Sequence, residues 1–254
     1  MELMTIKTPP LYPGDDLLSI LKTCLPPLNE GDVLVITSKI ISMWENNGVI
    51  LSKDKVQDKN ALIAHESQCY LPPTQDVKHP FCLTMTHNIL IPSAGIDESN
   101  GDGAYILYPK NPFEAAARLW SFLRSTWHLN TVGVIISDSH TTPLRRGVVG
   151  IALSWCGFEA IMSYKGQPDC FGRPLAFTSR NNVDGLASSA VFMMGEGNEQ
   201  TPLCVIKNAP RLVFQEHPPT LQEINNFCIP MEEDLYAPLL QGVAWKKGGD
   251  RGGV

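Results

Sequence analysis

The segment Thr131–Ser137, Thr-Val-Gly-Val-Ile-Ile-Ser, constrains the fold more than any other stretch of the chain. Its run of β-branched apolar residues predicts a buried strand. The run ends abruptly in Asp138-Ser139-His140. A carboxylate, a hydroxyl and an imidazole at a strand's C-terminal end stand where α/β sheets usually carry their chemistry. Arg145-Arg146-Gly147 follow a short polar turn. Acid first and a basic pair soon after suggest a metal–phosphate site.

Other elements are legible around it. Residues 14–25 carry leucine and isoleucine at helical spacing behind an acidic start, and Pro26-Pro27 stops them, which predicts a short amphipathic helix. Asp32–Thr37 reads as a buried strand leading into Ser38-Lys39, two residues suited to a phosphate at a strand end. Residues 53–80 are polar and broken by prolines, giving helix and loop. Cys82–Ile91 reads as one or two strands running into the polar cluster Asp97-Glu98-Ser99-Asn100. Asn111-Pro112 opens the clearest helix, with asparagine at the N-cap and proline in the first turn. Val183–Met194 reads as a helix and Pro202–Lys207 as a strand, so strand and helix segments alternate in a mixed α/β (α+β) chain. Thr220–Phe227 and Asp234–Leu240 have no role assigned by pattern. Residues 5–210 form the expected main domain, 211–245 an extension packed on it, and 246–254 a disordered tail.

Bulk properties exclude several classes. A chain of 254 residues can bury a sizeable core. A net charge of −6 gives no general basic footprint for nucleic acid. No apolar run approaches the ~20 residues that span a bilayer. The first ten residues lack the basic-then-apolar pattern of a secretion signal. The seven cysteines form no Cys-x-x-Cys pair, which favours reduced thiols in a cytoplasmic protein. No P-loop, dinucleotide fingerprint or nucleophile elbow is present.

Asp97, Asp138 and Glu196 share one local plan: an element ends and an acid appears beside Gly, Ser or Asn. Hard divalent cations prefer such oxygen donors together with substrate phosphates. Each acid alone caps a helix or solvates a turn at least as readily. Arg145 and Arg146 suit phosphate or carboxylate oxygens, or a plain surface pair. Spacing alone does not bring these residues together.

Order and spacing of a larger set do more. Gly-Asp-Asp-Leu at 14–17, Gly-Asp-Val-Leu-Val at 31–35 and Ala-Gly-Ile-Asp-Glu-Ser-Asn at 94–100 come first. Ser-Asp-Ser at 137–139, Arg-Arg-Gly-Val-Val-Gly at 145–150, Phe-Gly-Arg-Pro-Leu at 171–175 and Met-Gly-Glu-Gly at 194–197 follow. Together they resemble the coenzyme F420-0:γ-glutamyl ligases from about Thr8 to about Lys207. The resemblance implies a family-specific mixed-sheet fold in an intertwined homodimer, with L-glutamate and a small carboxylate-bearing acceptor as substrates. It implies GTP, two divalent ions (magnesium or manganese) and a place for potassium. The implied reaction phosphorylates the acceptor's carboxylate, and glutamate's amine then displaces phosphate.

Carried over by position, Asp97, Asp138, Ser139 and Glu196 match metal ligands, with Asp138 and Arg146 as the catalytic pair. Asn100 matches a GTP contact. Thr8, Pro9, Pro10 and Leu11 match a nucleotide-contacting stretch. Ser38 and Lys39 match the phosphate-side or base-side contact after the strand. Met194, Gly195, Gly197, Asn198, Glu199, Gln200 and Thr201 match the nucleotide loop around Glu196. The chain departs from the pattern twice. Met43 stands where the family usually has a nucleotide-contacting lysine, so that contact is lost or moved to Lys39. The family's Gly-Arg after the aspartate is missing from Asp138-Ser-His-Thr-Thr-Pro-Leu, and His140 is expected to shape the acceptor pocket there. A surviving metal set in altered surroundings fits a changed acceptor better than a lost activity. F420-0 is the leading acceptor and tetrahydrofolate the alternative. A non-catalytic GTP-binding homodimer is the rival from another class.

Overall fold

The structure, a computed structural model, describes residues 1–49, 59–73, 81–99 and 104–249. In chain order the elements are β1 (Glu2–Ile6), α1 (Leu17–Cys24), β2 (Asp32–Thr37), α2 (Ser38–Trp44), β3 (Gly48–Val49), α3 (Lys59–Glu66), β4 (Cys69–Leu71), β5 (Leu83–Thr86), β6 (Ile89–Pro92) and β7 (Tyr105–Ile106). There follow α4 (Pro112–Trp127), β8 (Val132–Thr141), β9 (Val148–Cys156), β10 (Ile161–Ser163), β11 (Ser179–Asn181), α5 (Asn182–Met194), β12 (Leu203–Lys207), α6 (Leu221–Phe227), α7 (Ala237–Leu240) and β13 (Lys246–Lys247).

The predicted strands 32–37 and 131–137 are adjacent and parallel, Asp32 opposite Val132 and Thr37 opposite Ser137. They centre a five-stranded sheet of order β1-β12-β2-β8-β9. Its other pairings are antiparallel, so the alternation of strand and helix builds a mixed sheet rather than a parallel one. Alternate side chains divide the core between two faces. Leu34, Ile36, Val134 and Ile136 pack with Leu21, Leu119 and Leu123 of α1 and α4. Val33, Val35 and Ile135 pack with Val183, Ala187 and Ala190 of α5. Each large aliphatic side chain buried this way contributes roughly 1.5–3 kcal/mol.

In β9, Gly150 lets two backbones pack closely. A Cβ there would lie 2.7 Å from the Ala187 carbonyl oxygen and 2.8 Å from Val191 Cβ, so glycine lets β9 reach α5. The strand beginning at Val132 does not stop at Asp138. It runs to Thr141, and its polar half pairs with β9, Asp138 opposite Ile151 and His140 opposite Val149. A bulge shifts the register between Ile136 and Ser137, where the apolar half gives way to the polar half. Bulges re-aim side chains in this manner near functional sites.

A second, four-stranded sheet has the order β13-β4-β5-β6. Lys246 and Lys247, expected in a disordered tail, instead pair with Tyr70 and Cys69. Within 211–245, Ile224 of α6 is buried against the α5 face together with Phe214 and Phe227. The Asn111 N-cap differs from expectation: its amide donates to Glu114 at 3.3 Å and caps no backbone amide. All seven cysteines are free. No helix among the described residues is long and apolar enough to cross a membrane.

Candidate active site

Three chain segments meet beyond the end of β2. That strand passes directly into α2, whose second residue is Lys39. Ser42 Oγ donates to the Leu107 carbonyl at 2.5 Å and Asn47 Nδ2 to the Tyr108 carbonyl at 2.8 Å, so α2 fixes the segment 105–108. Asp97 reaches the same place on a strained turn, where Ser93, Ala94 and Gly95 have φ of 55°, 55° and 68°. Non-glycine residues hold this left-handed conformation only when their surroundings impose it. Here Thr84 imposes it: its buried hydroxyl accepts from Ala94 N at 2.9 Å and donates to the Ile91 carbonyl at 2.6 Å. The Tyr108 ring occupies the space that a Cβ on Gly95 would need. Asp97 then pairs its backbone with Ile106 through bonds of 3.0 and 2.9 Å.

Lys39 Nζ lies 2.6 Å from Asp97 Oδ2 and 3.2 Å from Ser99 Oγ. Burial alone would raise the Asp97 carboxyl, but the Lys39 ammonium and the Ser99 amide hold it below its ordinary value. Asp138 has less compensation. Burial raises it to about 6, partly offset by the neighbouring Tyr108 hydroxyl, the Ser139 amide and the Lys39 charge, while Asp97 pushes it up. Burial, then the Asp138 charge, raises Tyr108 well above a phenol's ordinary value. The Tyr108 hydroxyl is close enough to Asp138 for that influence, yet it is fully buried and has no geometrically complete hydrogen bond. Tyr108 carried no motif in the sequence. Its closeness to both acids follows from chain pairing that spacing does not display.

A cleft of about 480 Å3 opens on this group. Its walls include Thr8, Pro9, Pro10 and Leu11, Lys39 and Met43, Asp138 and Ser139, and the loop from Met194 through Thr201. Four stretches far apart in sequence thus share one cavity. The loop is stitched locally: Thr201 Oγ1 donates to the Met194 carbonyl at 2.7 Å, and Gly197 N to Glu199 Oε2 at 2.8 Å. Gly195 has φ of 81°, and the Glu199 side chain fills the space its Cβ would take. Thr8 N reaches the Gln200 carbonyl at 3.4 Å, joining two walls.

Some candidates fall elsewhere. Ser38 is buried beneath α2 and does not line the cleft, because its side chain turns into the packed interior beside β2. Arg146 is exposed on the turn joining β8 and β9 and lines neither this cleft nor the larger one described below. Asn100 lies outside the described residues. Met43 lines the cleft as an apolar residue, as Lys39 does as a charged one.

The donor chemistry suits a divalent cation at Asp97, Asp138 and Ser139: hard oxygens, with a carboxylate whose negative charge is under-compensated. The full set is not gathered. Among the described residues no three carboxylate, imidazole or thiol side chains are grouped to hold an ion. Asp97 and Asp138 share the influence of the Lys39 ammonium; Asp138 and the exposed Glu196 both line the cleft, and Asp97 does not.

Along β8 the next residues open onto a second, larger cleft of about 1480 Å3. His140, Thr141, Thr142 and Pro143 line it, as do Tyr108, Phe113 and side chains from 221–245. Burial lowers the His140 pKa, opposed by the Asp184 charge. Tyr108 and Asp138 therefore stand where the two clefts adjoin, Tyr108 in the lining of one and Asp138 in that of the other.

The chain is mixed α/β, and its acid-and-lysine cleft adjoins a larger second cleft. Comparison with known proteins gives the class. Residues 5–208 match the family described as F420-0:Gamma-glutamyl ligase. A coenzyme F420:L-glutamate ligase of Halorubrum lacusprofundi is 33% identical over 226 residues, covering 82% of this chain and 87% of the relative. The enzyme of that name from Methanocaldococcus jannaschii is 33% identical over 214 residues, covering 79% and 85%. That of Halobacterium salinarum is 32% identical over 216 residues, covering 78% and 83%. The chain belongs to the F420-0:gamma-glutamyl ligase family, whose members are amide-forming ligases.

Proposed function

We propose that the protein is a GTP-dependent γ-glutamyl ligase that adds L-glutamate to a carboxylate-bearing coenzyme of the F420-0 type. The observation that carries this reading is the convergence of residues 8–11, Lys39, Asp138-Ser139 and 194–201 on one cleft that adjoins a second. In this reading the smaller cleft takes the nucleotide. Residues 8–11 and the loop 194–201 flank it, and the Lys39 ammonium meets the phosphates. Asp97, Asp138, Ser139 and Glu196 are the residues that would hold magnesium or manganese. Held there, such a cation would supply positive charge to the phosphate oxygens during transfer.

The larger cleft takes the acceptor, its carboxylate directed to the Tyr108–Asp138 boundary. The carboxylate oxygen attacks the γ-phosphorus, the bond to the β-phosphate oxygen breaks, and GDP leaves. The deprotonated amine of glutamate then attacks the acyl carbon, the C–O bond breaks, and phosphate departs. Exclusion of water from the junction lets the amine reach the acyl phosphate first.

Both departures from the family pattern border these clefts, and His140 and its neighbours line the larger one. This favours an altered acceptor, with tetrahydrofolate as the second to test. We also assign a homodimer. Leu144, Val148, Val149, Phe192 and Met193 expose large apolar surface on the β8–β9 hairpin and α5. A catalytic role for Arg146 requires such a dimer, in which the hairpin delivers it to the partner's cleft. Free cysteines accord with a cytoplasmic setting. The test incubates the protein with GTP, manganese or magnesium, glutamate and either F420-0 or tetrahydrofolate. Mass spectrometry then reads a glutamate added to the acceptor, and absence of product with both acceptors overturns the reading.

A further inference from the structure

The family match ends at residue 208, yet much of the larger cleft is walled by residues beyond it. The segment leaves the core at α6. There Thr220 and Glu223 cap the helix reciprocally, and Ile224 is buried against the α5 face. It is fastened again at the second sheet, where Lys246 and Lys247 pair with β4. Gly248 N donates to the Gln68 carbonyl at 2.9 Å and Gly249 N to the Ala64 carbonyl at 3.0 Å. Gly248 lies so close to the Ser67 carbonyl that no Cβ fits.

Between these fastenings the chain forms a strap across the cleft. Helix α7 has no buried residue. Its turns are held by local bonds, Tyr236 N to Asp234 Oδ1 at 2.9 Å and Trp245 Nε1 to the Leu240 carbonyl at 2.7 Å. Tyr236 is 60% exposed and Leu239 72% exposed, and both line the cleft. Val243 and Trp245 line it too. Large apolar side chains left uncovered over a deep cleft are accounted for when a ligand covers them. Tyr108 and Phe113 also belong to the lining, so the core adds aromatic edges to those of the strap. Such walls suit a flat, apolar ring system, which aromatic side chains hold by stacking. At the Tyr108 end the cleft adjoins Asp138, where the ligand's carboxylate would be activated.

We propose that the strap of residues 228–245 is the specificity-determining wall of the acceptor site, holding the ring-bearing body of the acceptor through Tyr236, Leu239 and Trp245. The inference rests on the ligase reading for the identity of the ligand. It places acceptor choice in a segment outside the family match, at a distance from the phosphate chemistry.

Calorimetric titration tests it, with F420-0, tetrahydrofolate and GTP–magnesium as separate probes. The first variant is Tyr236→Ser combined with Leu239→Ser, both exposed and dispensable for the core. The second is Gly248→Val, which unfastens the strap's far end. For the preferred acceptor, each is expected to weaken binding roughly tenfold or more, as loss of apolar contact in a pocket does, with GTP affinity unchanged. Acceptor affinity equal to wild type in both variants overturns the proposal, as does failure of the wild-type protein to bind either acceptor. Weakened acceptor binding in a protein that forms no glutamylated product upholds the strap and overturns the ligase reading. Normal ligation with strap-independent binding overturns the strap alone.

Discussion

The Lys39 ammonium lies 2.6 Å from the Asp97 carboxylate, and its charge also acts on Asp138, so one side chain answers two acids. In the proposed nucleotide complex that ammonium turns partly to phosphate, and divalent ions take over the carboxylates.

Replacing Lys39 with Met is expected to raise the KM for GTP roughly tenfold, the effect of losing one hydrogen bond from a charged donor. Asp97 sits below its ordinary value in the folded protein, so its pairing stabilises above the unfolded carboxylate range and fades as pH falls through the folded value. Lys39→Met should therefore cost at most about 1 kcal/mol at pH 8, given the partial exposure of both partners, and less than that at pH 3. Thermal unfolding at the two pH values measures this. An equal cost at both would refute it.

Asp138 has the opposite sign. Its folded pKa of about 6 exceeds the ordinary 3.8, so ionisation in the folded state is disfavoured. The penalty is absent below about pH 4, grows as pH rises through the interval, and is complete above 6. Asp138→Asn should raise stability at pH 8 by on the order of 1–2 kcal/mol without added metal. Near pH 3.5 the gain should vanish, while ligation is lost at every pH. A variant less stable than wild type at pH 8 would contradict the burial argument.

Tyr108 and Gly95 make a contrasting pair. The Tyr108 hydroxyl is buried without a complete hydrogen bond, so Tyr108→Phe should leave the melting temperature unchanged or slightly higher. If that hydroxyl steers Asp138, kcat falls while the KM for GTP holds. Gly95→Ala should instead destabilise by about 2 kcal/mol or more, since φ of 68° disfavours alanine and its methyl meets the Tyr108 ring. Calorimetry with steady-state kinetics separates the two. A Tyr108→Phe enzyme with normal kcat removes the hydroxyl from the chemistry.

Particular residues show how far the sequence reached. The apolar runs at 32–37 and 131–137 announced the central strands, because burial on both faces leaves no polar interruption. Pro112 announced α4, since proline fits only its first turn. The polar half of β8 was hidden: Asp138-Ser139-His140 reads as a strand's end, and only pairing with β9 across the bulge makes it strand. Residues 8–11 and 194–201, matched to the family by position, line one cleft, whereas Ser38, read together with Lys39 at a strand end, is buried and does not line it. Tyr108 left no signal, for its role depends on a turn at Ser93–Gly95 whose left-handed backbone no residue type there demands. The strap was equally silent, because its apolar side chains face a cleft and so lack the periodicity that packing against a core imposes.

In the proposed function, Asp138 belongs to a ligase site at the junction of the two clefts. The most direct measurement is mass spectrometry of the acceptor after incubation with GTP, manganese and glutamate, run with wild type and Asp138→Asn. Wild type should give an acceptor enlarged by glutamate and stoichiometric GDP, and the variant neither. Equal product from both proteins, or none from wild type with F420-0 and tetrahydrofolate alike, would contradict it.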